Sequence, residues 1–132
     1  MKKFLFTLML LLGALATMAQ VKEVSYDEMN RIINTNNRPI IVDCYATWCG
    51  PCKQYAPIFD AMSYRATNVI FLRIDIDENP QLMEEFNFGS IPTTIVFIKD
   101  KQGTCQWKAQ SGLLNKFELG QLVSEGQRLH GH

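Results

Sequence analysis

Cys49 and Cys52 lie three residues apart in the segment IVDCYATWCGPCKQYAP, with Asp43 six residues ahead of the first thiol. Two close thiols can bind a metal, close a structural disulfide or exchange electrons. A closed zinc site needs four ligands, usually as two close pairs. The chain offers one CxxC, the scattered Cys44 and Cys105, and histidines only at 130 and 132, so no metal is expected. A c-type haem would need histidine directly after the second cysteine, and Lys53 is there. A disulfide closed over so short a loop constrains the unfolded chain little, which makes it a weak staple.

A redox dithiol gives each position a physical role. At the start of a helix, cysteines three apart sit on neighbouring faces and are close enough to bridge. The unpaired amides and the positive end of the helix dipole favour a thiolate there. Cys49, nearest those amides, is the expected attacker. Cys52, one turn in and expected to be more buried, is placed to resolve the mixed disulfide. Pro51 costs little because first-turn amides have no helical partner.

The elements that must position these thiols follow from patterning. Residues 25–37 read as a helix, with Ser25 and Glu28 as a capping box and Tyr26, Met29, Ile32 and Ile33 on one face. PIIVDCYA, 39–46, reads as a strand covered on both faces, interrupted by Asp43, which burial there would leave as a carboxyl of raised pKa. A helix is expected from Cys49 to about Arg65, with Ile58, Phe59 and Met62 inward and Pro57 inside it. A second buried strand at 68–75 precedes a short helix capped by Asn79, with Pro80 in its first position. Thr93 to Ile98 and Thr104 to Gln110 form a hairpin about residues 100–103. Asn115 and Glu118 open a last helix with Phe117, Leu119, Leu122 and Val123 apolar. The order β-α-β-α-β-α-β-β-α implies an α/β fold, a mixed sheet with helices on both faces.

The first 19 residues carry Lys2 and Lys3, an apolar run from Phe4 to Ala16 and a small-residue cleavage site at Thr17-Met18-Ala19. This pattern is that of a secretory signal peptide, so the expected organisation is a leader at 1–19, one domain at 20–132 and a bacterial periplasmic location. The apolar run is short for a spanning helix, and no stable membrane insertion is expected after processing. Thirteen basic and 13 acidic residues, with no block of like charge, give no sign of nucleic-acid binding.

VDCYATWCGPCK resembles the active-site segment of thioredoxins, and the likeness extends along the whole mature chain. Ile91-Pro92-Thr93 is similar to the family's cis-proline loop, DIDENP to its strand-to-helix junction, Gly103 to its hairpin turn and Gly112 to the glycine before its last helix. The resemblance implies a thioredoxin fold and a monomeric domain that acts on disulfide-containing proteins without a cofactor beyond the Cys49–Cys52 pair. It implies Cys49 as nucleophile, Cys52 as resolving thiol and Asp43 as a buried carboxylate assisting proton removal from Cys52. Pro92, if cis, would leave the Ile91 backbone free to pair with a bound substrate strand, and Trp48, Gly50, Pro51 and Gly112 would form the docking rim.

The chain departs from the family at Cys44, in the usual Phe position, at Tyr45, in the usual Trp position, and at Arg73, where many members carry lysine. Cys44 is expected as buried volume, the alternative being a bridge to Cys105. If Arg73 reaches Asp43, its fixed charge should lower that carboxyl's pKa. The Gly-Pro dipeptide and Ile91 before the proline resemble reducing members of the family, implying a protein-disulfide reductase. An exported reductase would need a membrane dithiol donor; an exported oxidant, an isomerase or a non-catalytic binding module are the alternatives.

Overall fold

The computed structural model describes residues 20–132, so the expected leader and its cleavage site lie outside the described residues. The elements in chain order are β1 (Val21–Glu23), α1 (Tyr26–Thr35), β2 (Ile40–Tyr45), α2 (Gly50–Arg65), β3 (Ile70–Asp75), α3 (Gln81–Glu85), β4 (Thr93–Lys99), β5 (Cys105–Ser111) and α4 (Lys116–Leu129). The sheet order is β1-β3-β2-β4-β5. Strands β1 and β2 run parallel to β3, β4 runs antiparallel to β2, and β5 antiparallel to β4. The expected mixed sheet and element order are both present.

Strand β2 occupies the middle of the sheet, which explains its unbroken apolar lead-in. Ile40, Val42 and Cys44 join the core formed with Met29 and Ile33 of α1 and Leu82 of α3. Ile41 joins the other core, built on Tyr55, Phe59 and Met62 of α2 and on Leu119, Leu122 and Val123 of α4. Because side chains alternate along a strand, Asp43 falls on the α2 side with Ile41. Edge-on aromatic contacts knit the two cores, Phe59 against Phe71 on one face and Phe86 against Phe97 on the other.

Several local expectations change. The Ser25 hydroxyl accepts the Glu28 amide, but the Glu28 carboxylate turns to Lys22 and Arg31, so only half of the capping box forms. At Asn115 both halves are present. Asn79 does not cap α3. Its buried side chain accepts from the Tyr26 amide and donates to the Asp75 carbonyl, tying the start of α1 to the end of β3, and Pro80 takes the cap position. These two bonds, one of them to a residue 53 away in sequence, hold the side chain that would otherwise cap the helix. Ile58 is half-buried, with Tyr55 filling the inward position, and Phe117 is exposed on the first turn of α4.

Candidate active site

Helix α2 begins at Gly50, one residue later than expected, and Cys49 is its N-cap. The Cys52 amide donates to Cys49 Sγ over 3.2 Å, so the sulfur holds the place that an oxygen occupies in an ordinary cap. An anion at that atom meets an aligned amide and the positive end of a 16-residue helix. The two sulfurs are joined as a disulfide with their Cα atoms 5.2 Å apart. In this oxidised state both cysteines are covered, 5% and 3% exposed, so the expected contrast in burial between attacker and resolver is slight.

The Ile91–Pro92 peptide is cis, and Cys49 Sγ lies 3.9 Å from the Ile91 carbonyl oxygen. Pro92 is buried and Ile91 half-buried. Gly112, at φ +110°, donates its amide to the Pro92 carbonyl over 2.9 Å, which pins the end of β5 against the proline loop. A side chain there would be strained whatever the space around it. Gly50 and Pro51 are exposed beside the disulfide. Trp48 is 68% exposed, not core, and its indole N–H donates to Asp77 Oδ2 over 2.7 Å. The hydrogen bond orients an aromatic face at the rim of the site.

Behind the disulfide, Asp43 is fully buried and lines a cleft with Cys52, Ala46, Lys53 and Arg73. Strand pairing sets it there, opposite Arg73 on one neighbour and Thr94 on the other. Arg73 does reach it, Nε donating to Asp43 Oδ2 over 3.1 Å. Both expected influences are present: burial raises the carboxyl and the guanidinium lowers it, and burial outweighs the guanidinium, so Asp43 is pushed up to about 6. It is thus a carboxyl able to gain and lose a proton near neutral pH. Burial also pushes the Cys44 thiol up, leaving it a poor nucleophile.

Cys44 and Cys105 are both free, the first buried and the second exposed. They oppose Thr93 and Lys99, the two ends of β4, roughly 20 Å apart along a strand, which excludes a bridge within this fold. Sequence reasoning missed Asp60, which accepts from the same guanidinium, and Tyr55, whose hydroxyl pairs with Thr94 at 2.7 Å beside Asp43. One signal for Asp60 was available. Cys52, Ala56 and Asp60 recur at helical spacing and so share a face of α2.

The thioredoxin family model matches residues 20–125, spanning all of this geometry. The chain belongs to the thioredoxin family. Thioredoxin C-3 of Corynebacterium nephridii is 34% identical over 103 residues, 78% of this chain and 68% of that protein. The thioredoxin of Mycoplasmoides gallisepticum is 33% identical over 73% of this chain and 91% of its own length. Among solved structures, the oxidised thioredoxin from Plasmodium falciparum superposes with a TM-score of 0.67 at 36% identity, over 81% of this chain and 98% of that one. Chloroplastic thioredoxin z gives 0.71 at 27% identity, over 82% and 95%. This thioredoxin-family chain is a thiol-disulfide oxidoreductase with Cys49 and Cys52 as its redox pair, and its family acts on disulfide-containing proteins.

Proposed function

We propose that this thioredoxin is an exported protein-disulfide reductase. Cys49 as thiolate attacks one sulfur of a substrate disulfide, and the other substrate sulfur leaves and takes up a proton. Cys52 then gives its proton to Asp43 and attacks Cys49 Sγ. The mixed disulfide breaks, the second substrate thiol is released, and two electrons have passed to the substrate while Cys49–Cys52 becomes oxidised. Trp48, Gly50, Pro51, Ile91, Pro92 and Gly112 form the surface on which the substrate segment docks. A membrane dithiol returns the electrons, and the mature chain works as a monomer.

The observation that carries the direction is the modest support for the Cys49 anion. Among the described residues the Cys52 amide is its one hydrogen-bond donor, and no basic side chain hydrogen-bonds to it. Strong oxidants of this chemistry owe their high potential to a heavily stabilised thiolate in the reduced form. One amide at a helix start, with Gly50-Pro51 between the thiols, fits the reducing end. Equilibration with a glutathione series should give a potential near about −270 mV, and a value above roughly −180 mV would replace the reductase by an oxidant or isomerase.

Export rests on the leader pattern at 1–19. Expressed whole in a bacterium, the protein should be recovered from the periplasm with Gln20 as its first residue by mass spectrometry. Recovery of the full-length chain from the cytosol would remove this part of the proposal.

A further inference from the structure

The guanidinium of Arg73 is held at three points. Its Nε engages Asp43 Oδ2, while one terminal nitrogen reaches Asp60 Oδ1 over 3.2 Å and the Ala56 carbonyl over 3.5 Å, both on α2. It also lies 5.9 Å from the ring centres of Tyr45 and Phe59, which fix its plane. Only one oxygen of Asp43 is engaged. Oδ1 is buried and has no hydrogen-bond partner among the described residues. An arginine free to turn its fork would bind both oxygens of a carboxylate, the arrangement this pairing favours. The strap from Asp60 holds the fork away from that arrangement.

We propose that Asp60, acting through Arg73, is a positioning residue for the resolving step: it keeps the guanidinium on Asp43 Oδ2 and so leaves Oδ1 open to take the Cys52 proton. The inference rests on the proposed role of Asp43 in that step. The charged and titratable groups facing Asp43 are Arg73 from β3, Glu23 from β1, Tyr45 from its own strand, and Cys52, Tyr55 and Asp60 from α2. Lys53 lines the same cleft, and β4 contributes the neutral Thr94. Of these, Asp60 is the acid that touches the Arg73 guanidinium together with Asp43. Its side chain is 48% exposed, so its removal should leave the fold intact.

The experiment uses the full mature chain with Asp60→Ala, Arg73→Gln and the double variant. The Asp43 carboxyl is titrated by carbon NMR in the reduced protein, and the two thiol-exchange steps are separated by stopped flow on a disulfide-bonded peptide. Asp60→Ala should move the Asp43 titration to lower pH, because the released fork closes on both oxygens, with a smaller part from loss of the Asp60 charge itself. It should also slow the resolving step at pH 7 about three- to tenfold, a fraction of what a general base supplies, and leave the Cys49 attack unchanged. Arg73→Gln should move the titration to higher pH, and adding Asp60→Ala to it should do little more. An unmoved titration in Asp60→Ala, or an equal shift with and without Arg73, overturns the strap. A moved titration with an unchanged resolving rate overturns the Asp43 reading, and with it the catalytic meaning of the strap.

Discussion

Cys49→Ser should reduce the rate of insulin reduction with dithiothreitol to that of the uncatalysed mixture, while Cys52→Ser should accumulate a stable mixed disulfide with its substrate. The two thiols are three residues apart and almost equally covered, so burial does not separate their roles. Position in the helix does. Cys49 Sγ stands at the cap, accepting the Cys52 amide, where a thiolate is stabilised; Cys52 lies within the first turn and beside the buried carboxyl. Serine at 49 keeps the cap hydrogen bond, since its oxygen is the better acceptor there, but a hydroxyl at neutral pH is not a comparable nucleophile. The loss should therefore be at least about a thousandfold with no loss of stability. A Cys49→Ser protein that still accelerates the reaction would show that another thiol carries it, and exposed Cys105 is the one to remove next.

Much of this site was legible because it is local. WCGPC places both thiols and the proline within one helical turn, and a cap followed by a first-turn proline announces where that turn begins. The sheet was legible for a related reason: β2 and β3 are consecutive apolar runs, and their turn residues bound them. What remained hidden depends on pairing across the sheet. Asn79 looks like a cap in sequence, but its partners are the Tyr26 amide, 53 residues away, and the Asp75 carbonyl. Phe117 is apolar, yet it lies two residues before the buried Leu119 and so on the opposite face of α4 from the stripe. The Asp43–Arg73 contact spans 30 residues and is fixed by strand register, which puts the two directly opposite. Sequence supports the contact as a possibility; the sign of its effect needs burial, because desolvation and the guanidinium push the carboxyl in opposite directions.

Asp43→Asn should make the protein more stable above pH 6 and at the same time slow its resolving step. Burial raises the Asp43 pKa from its ordinary 3.8 to about 6, the pull of Arg73 included. Between those two values the folded protein binds the proton more tightly than the unfolded chain, so stability falls as pH rises through this window. Below the lower value the contribution is fully present, and above the upper one it is lost. A shift of this size corresponds to on the order of 3 kcal/mol. Asparagine mimics the protonated acid and escapes that cost at every pH. Urea denaturation at pH 8 should thus favour Asp43→Asn by up to about 3 kcal/mol, with the advantage shrinking toward zero near pH 4. A plain structural ion pair predicts the opposite, since removing one partner strands the Arg73 guanidinium and destabilises the fold. If Asp43→Asn is the less stable protein at pH 8, the carboxylate is there to hold Arg73. If it is more stable and its mixed disulfides resolve slowly, the fold tolerates a buried charge at this point because the chemistry of Cys52 requires a proton acceptor behind it.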